Sequence, residues 1–148
     1  MSTAGVVGPQ AAAPAARAGA TAQFRRLLGV GGFVVAATAL VALHDPHAPG
    51  SYGFCPLHAV TGLWCPACGG LRATYDLAHL HVAAAWGENA LWVVAAPFVV
   101  VGWLVALARR ARGLPARAVP VWAQVSGLAA VVVFGVLRNL PAFSWLAP

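Results

Sequence analysis

All three cysteines of this chain fall within fourteen positions, in the strings Cys55-Pro56-Leu57-His58 and Cys65-Pro66-Ala67-Cys68. Two residues between the sulfurs let both reach one centre, a spacing shared by dithiol redox pairs and by half of a tetrahedral zinc site. Cys55 and His58 repeat that spacing with an imidazole in place of the second thiol. Cys55, His58, Cys65 and Cys68 therefore make a candidate Cys3His set for zinc. The gap from His58 to Cys65 holds six residues, shorter than the 12 or more of common fingers. A structural role is the plainer expectation, as packed thiols or as a disulfide: in an oxidising compartment Cys55 could pair with Cys65 or Cys68, closing a loop of about ten residues for about 2 to 3 kcal/mol and leaving one thiol over. A redox-active Cys65/Cys68 pair with Cys55 as exchange partner is the third reading. Thr61-Gly62 and Cys68-Gly69-Gly70 supply tight turns that bring the two strings together.

Other reactive side chains are sparse. His44 and His47 flank Asp45 and form a weak candidate for a surface metal, with solvated loop histidines the plainer expectation. His79 and His81 are two apart and point in different directions on a helix. Glu88 beside the start of an apolar block suits a helix N-terminus. Arg138 and Asn139 follow the last apolar block, where the arginine is expected to snorkel to lipid phosphate. Asp45, Asp76 and Glu88 are the only acids in 148 residues. They are thin material for hydrolysis, and no paired carboxylates, Ser-His-Asp set or phosphate loop is present.

The elements around these residues read as membrane spans. The chain is 61% hydrophobic and 8% charged, with nine arginines and no lysine, where soluble domains carry about 25% charged residues. Three uncharged blocks qualify: 27–43, 90–108 and 119–137, each within or close to the roughly 17 to 25 residues needed to cross hydrocarbon. Trp92 and Trp103 sit near the ends of the second, where amphipathic rings favour the headgroups. Pro97 lies inside that block, and Pro120 suits the start of the third helix. A signal peptide cleaved around Ala37 to Ala42 competes for the first block. The 26 preceding residues and the length of the run favour an uncleaved anchor.

Seven of the nine arginines (Arg17, Arg25, Arg26, Arg109, Arg110, Arg112, Arg117) precede the first block or lie between the second and third. The positive-inside rule puts those regions and the amino terminus in the cytoplasm and the cysteine loop outside. The net charge of +6 suits anionic lipid. Without aromatic interleaving on a polar face it gives no sign of nucleic-acid binding. Residues 1–23, rich in Ala, Gly and Pro, are expected to be a disordered cytoplasmic tail. Residues 24–148 form one membrane domain, in which 44–89 are the cysteine loop and an interfacial helix. Turn formers dominate 44–53. Leu71, Tyr75, Ala78 and Val82 then recur at helical spacing, predicting a short amphipathic helix over about 71–86.

Cys55-Pro56, Thr61-Gly62, Cys65-Pro66-Ala67-Cys68-Gly69 and Arg72-Ala73, in that order and spacing, resemble the signature of domain-of-unknown-function family 2752, small bacterial membrane proteins. The resemblance runs from Phe54 to about Phe98, and Asn89 fits an asparagine of that family near the start of the following span. Leu71 stands where the family has threonine, and His58 is not part of its pattern. The resemblance implies a multi-pass protein with cysteines at one face and brings no activity with it. The sequence thus predicts an all-α inner-membrane protein with three transmembrane helices and a short interfacial helix after the cysteine-rich loop. The expected function is a non-enzymatic scaffold or accessory subunit docking a membrane-protein partner. The alternative is a thiol-based redox or metal-binding protein that uses Cys55, Cys65 and Cys68.

Overall fold

The computed structural model describes residues 9–48, 51, 55–115 and 117–148, and among them it is all helical. Helix α1, Pro9–Leu43, is 35 residues long. It contains the first apolar block and stops where expected, at the His44-Asp45-Pro46 flank. It also begins earlier than expected, at Pro9, so residues 9–23 are helical instead of an irregular tail. Alanine recurs through that segment and is the best helix former. Residues 1–8 of the expected tail lie outside the described residues. So do 49, 50, 52 and 53 of the turn-rich stretch, whose described part, 44–48 and 51, forms bends and turns.

Two short helices follow, α2 (Pro56–Thr61) and α3 (Gly70–Ala78). Proline at the first position of α2 starts it, since the missing amide hydrogen has no helical partner there anyway. Gly62 ends it at φ 71. The expected interfacial helix over 71–86 is cut short at Ala78. Leu80 adopts φ 63, and the His81 and Leu80 amides donate back to the carbonyls of Asp76 (2.8 Å) and Leu77 (3.1 Å). This is a Schellman stop with leucine in the left-handed position that usually takes glycine. Sequence reading passed over it because leucine carries no stop signal.

Helix α4, Val82–Ala111, runs through the second apolar block and is 30 residues long. Its backbone breaks at Asn89 (φ −159, ψ 92), where the Trp92 amide donates to Asn89 Oδ1 at 2.9 Å. Asn89 therefore caps a second helical segment that begins at Ala90, the expected start of the span. Pro97 passes without a further break. Helix α5, Val121–Leu137, is 17 residues long and capped by Pro120, so it starts two residues after the expected 119. A 3-10 helix, Pro141–Leu146, closes the chain.

Helix α3 packs chiefly on α4, and α1 lies against both. Trp103 on α4 donates its ring N–H to the Leu27 carbonyl of α1 at 3.1 Å. Segments Gly19–Leu43 and Val82–Ala111 are long and apolar enough to cross a membrane, and only 11% and 6% of their most apolar windows are buried inside the molecule. Phe33, Phe98 and Trp122 are each more than 70% exposed. These helices are not the core of a water-soluble fold, whose apolar side chains face inward.

Leu80 spends roughly 1 kcal/mol on its left-handed backbone, and its side chain is 84% exposed. Leu80→Gly is expected to raise the midpoint of thermal unfolding in detergent, and Leu80→Val to lower it. Equal midpoints would mean that this stop carries no strain.

Candidate functional site

The three sulfurs converge, although Cys55 is ten residues from Cys65. Cys55 immediately precedes α2, and the left-handed turn at Gly62 sends the chain back toward its start. Thr61 secures the turn: its hydroxyl donates to the Leu57 carbonyl (2.6 Å) and accepts from the Leu63 amide (3.2 Å). Cys55 Sγ ends 3.5 Å from Cys65 Sγ, which lies 3.1 Å from Cys68 Sγ. All three sulfurs lie within 4.8 Å of one another. None is disulfide-bonded, so the expected pairing of Cys55 with Cys65 or Cys68 is not formed. His58, the fourth member of the candidate set, is not in the group. Its ring stacks on Trp64 with centroids 3.7 Å apart.

The turn from Cys65 to Cys68 is held from below by two buried polar side chains of distant helices. Asn89 Nδ2 donates to the carbonyls of Pro66 (2.9 Å) and Cys68 (3.0 Å). Arg138 Nη1 donates to Cys65 (2.8 Å) and Cys68 (3.1 Å). Asn139 completes the clamp, donating to the Trp64 carbonyl (2.9 Å) and accepting from its amide (2.8 Å). Asn89 is 2% exposed and Arg138 is 1% exposed. Arg138 therefore does not snorkel to lipid as expected. Its guanidinium lies over the Phe134 ring at 4.9 Å, and its Nε and Nη2 are buried without a hydrogen-bond partner.

Two glycines make the close approach possible. Gly69 sits at φ +79, and a Cβ there would run into the Glu88 carbonyl oxygen. A Cβ on Gly135 of α5 would come within 2.8 Å of Pro66 Cγ. The motif residues thus divide by task. Cys55, Cys65 and Cys68 present sulfur, while Pro56, Thr61 and Gly62 shape the first string. Pro66 and Gly69 fit the second string against α5 and α4. Arg72 lies off the thiols, 3.4 Å from Glu88 Oε2.

The thiols are electrostatically unequal. The His58 backbone amide, then hydrogen bonds from Cys68 and Cys65, pull the Cys55 thiol down to about 7. Burial, then the hydrogen bonds it gives to Cys65 and Cys55, push Cys68 up to about 12. Burial also lowers the pKa of Arg138, and negative charge on Cys68 and Cys65 draws it back. A buried cation and thiolate character on these sulfurs favour each other.

Beside this site His47 gathers all three acids of the chain. Its Nδ1 lies 2.8 Å from Asp45, and its Nε2 lies 3.6 Å from Asp76 and 3.7 Å from Glu88. The His47 amide and ring hold the Asp45 carboxyl below its usual range. Glu88 is occupied by this network and by Arg72, and the helix start is capped by Asn89. His79 turns to the Tyr75 carbonyl at 2.9 Å.

An all-helical chain with two potential membrane-crossing helices and three clustered thiols is thus defined. Residues 55–103 match the model of a family described as "Protein of unknown function (DUF2752)". The match spans the cysteine motif and the part of α4 that carries Asn89, in agreement with the resemblance read from the sequence. No curated protein and no solved structure matches the chain.

Two outcomes follow. Alkylation of Cys55 should accelerate as pH rises through about 7, because the thiolate is the nucleophile, while Cys68 stays inert at that pH. All three cysteines fall in the one tryptic peptide 27–72, so fragment-ion mass spectrometry of that peptide after timed labelling reads both; equal rates at Cys55 and Cys68 would contradict the asymmetry. Asn89→Leu keeps the volume but removes two buried donors and a helix cap, and should cost about 2 to 4 kcal/mol in detergent unfolding.

Proposed function

We propose that this is a membrane protein whose Cys55, Cys65 and Cys68 hold a thiophilic metal ion of the zinc class at the bilayer surface. The observation that carries the reading is the convergence of three sulfurs above a buried arginine. Metal–sulfur bonds of about 2.3 Å to one ion set sulfurs roughly 3.8 Å apart, so the present spacing needs only small adjustments to admit it. Three thiolates and one Zn2+ leave a single negative charge, and Arg138 neutralises it. The Nε and Nη2 of Arg138 are buried without a hydrogen-bond partner, so the guanidinium keeps its positive charge beside the site with donors to spare. With His58 outside the group of three sulfurs, the protein supplies three ligands and leaves a fourth position for water or an exchanging ligand. That pattern belongs to working metal sites more than to closed structural ones.

The membrane setting rests on α1 and α4 as spans, and we extend it to α5 as a third. Its 17 residues cover about 25 Å, slightly less than the roughly 30 Å of hydrocarbon, and its side chains are largely exposed and apolar. Three spans return the carboxyl end to the face that carries the thiols, where Arg138 is found. Arginine asymmetry orients the amino terminus inward and the thiols outward across the cell membrane. No arrangement among the described residues favours the docking role expected from the sequence, and the thiol geometry favours the metal reading.

The test is the metal content of protein purified in detergent under reducing conditions. Close to one zinc per chain is expected, falling at least tenfold in Cys65→Ser while the variant still partitions with membranes. Metal-free wild-type protein whose thiols, in a parallel preparation made without reductant, label only after reduction would overturn the reading in favour of a disulfide.

A further inference from the structure

At the opposite end of the long helices from the thiols, a cavity of about 390 Å³ opens between α1, the end of α4 and the loop leading to α5. It is large enough for a small ligand, since such sites occupy about 300 to 1,000 Å³. Its walls have two characters. Leu27, Val105, Ala106 and Val119 line it with hydrocarbon, and Arg109, Arg110 and Arg117 bring three guanidinium groups to it. No Asp or Glu is among the lining residues. All three acids of the chain stand around His47 at the other end. Along α4 the distance from Glu88 to Arg109 is about 30 Å, three times the screening length at 0.1 M salt. The arginine charge therefore has no internal counterion.

The arginines are positioned without being neutralised. Arg110 donates to the amide oxygen of Gln23 on α1, and Arg109 Nη2 donates to the Pro115 carbonyl at 3.3 Å. Both partners are uncharged. Arg109 Nε is buried and has no hydrogen-bond partner, an expensive omission that a bound acceptor would repair. Arg117 is exposed at the cavity. Guanidinium groups suit phosphate oxygens, which accept their planar fork of donors in pairs. The apolar wall beside them suits an acyl chain.

We infer that this cavity binds a phosphate-bearing anion, and specifically the headgroup of an anionic phospholipid whose chain lies along Leu27 and Val105. The inference rests on α1 and α4 being membrane spans, which puts the arginine end at the headgroups of one leaflet. It is independent of the thiols.

Full-length protein in neutral detergent, titrated with phosphatidylglycerol, phosphatidylcholine or inorganic phosphate and followed by native mass spectrometry, tests it. Phosphatidylglycerol adducts should be retained at least tenfold better than phosphatidylcholine adducts. Arg109→Gln with Arg117→Gln should abolish that preference, and Arg112→Gln, outside the cavity, should keep it. Where the double variant fails to accumulate, Arg117→Gln alone gives the same readout from an exposed position. Displacement of the lipid by millimolar phosphate supports the anion site and shifts its source to a soluble phosphate. Equal retention of both lipids, or an undiminished preference in the cavity variants, overturns it. Extraction of the protein without detergent would instead remove the membrane setting, and is read separately.

Discussion

The structure turns on a buried cation beneath a tight turn. Three carbonyls of the turn, those of Cys65, Pro66 and Cys68, face the protein interior, and in an apolar setting each unpaired carbonyl is costly. Arg138 and Asn89 repay that cost from two different helices. The same contacts tie the end of α5 and the break in α4 to one point. Removing either side chain would unfix the turn and separate the helices at once. Arginine suits the position because it stays charged where an ammonium would give up its proton.

The clamp also explains why sulfur is held where it is. Cys65 and Cys68 belong to a backbone fixed by Arg138 and Asn89, and Gly69 lets that backbone pass against Glu88. Cys55 arrives separately, from a short helix folded back at Gly62. Two rigid strings therefore meet edge to edge, and the sulfurs meet without a covalent link. The resulting gradient, with Cys55 lowered and Cys68 raised, gives a site in which one thiol is ready to ionise and another ionises when a positive centre arrives. Such ordering suits stepwise uptake of a cation, since each bound thiolate lowers the cost of the next.

Much of this could be read from the residues. The apolar blocks marked the helices because nothing else accommodates 17 or more uncharged residues, and Pro120 and Asn89 sat close to the helix starts they cap. The cysteine spacing allowed Cys65 and Cys68 to approach one point, and Thr61-Gly62 suggested a turn by which Cys55 could join them. Three features were hidden for physical reasons. Leucine 80 bends the chain in a conformation that its side chain disfavours, so propensity pointed the wrong way. His58 had the right spacing for a ligand, but its ring lies stacked on Trp64 outside the sulfur group, and spacing carries no information about ring orientation. Arg138 looked like one more interfacial arginine. The available signal was its isolation: apart from Arg72 it is the one arginine assigned to the face that carries the cysteines, and a cation there had thiolates to answer.

The central claim is that three thiolates share one metal ion above Arg138. X-ray absorption at the zinc edge of the purified, reduced protein tests it most directly. Three sulfurs at about 2.3 Å and one nitrogen or oxygen ligand are expected. A first shell made only of nitrogen and oxygen, or a chain that takes up no zinc with all three thiols reduced, would contradict it.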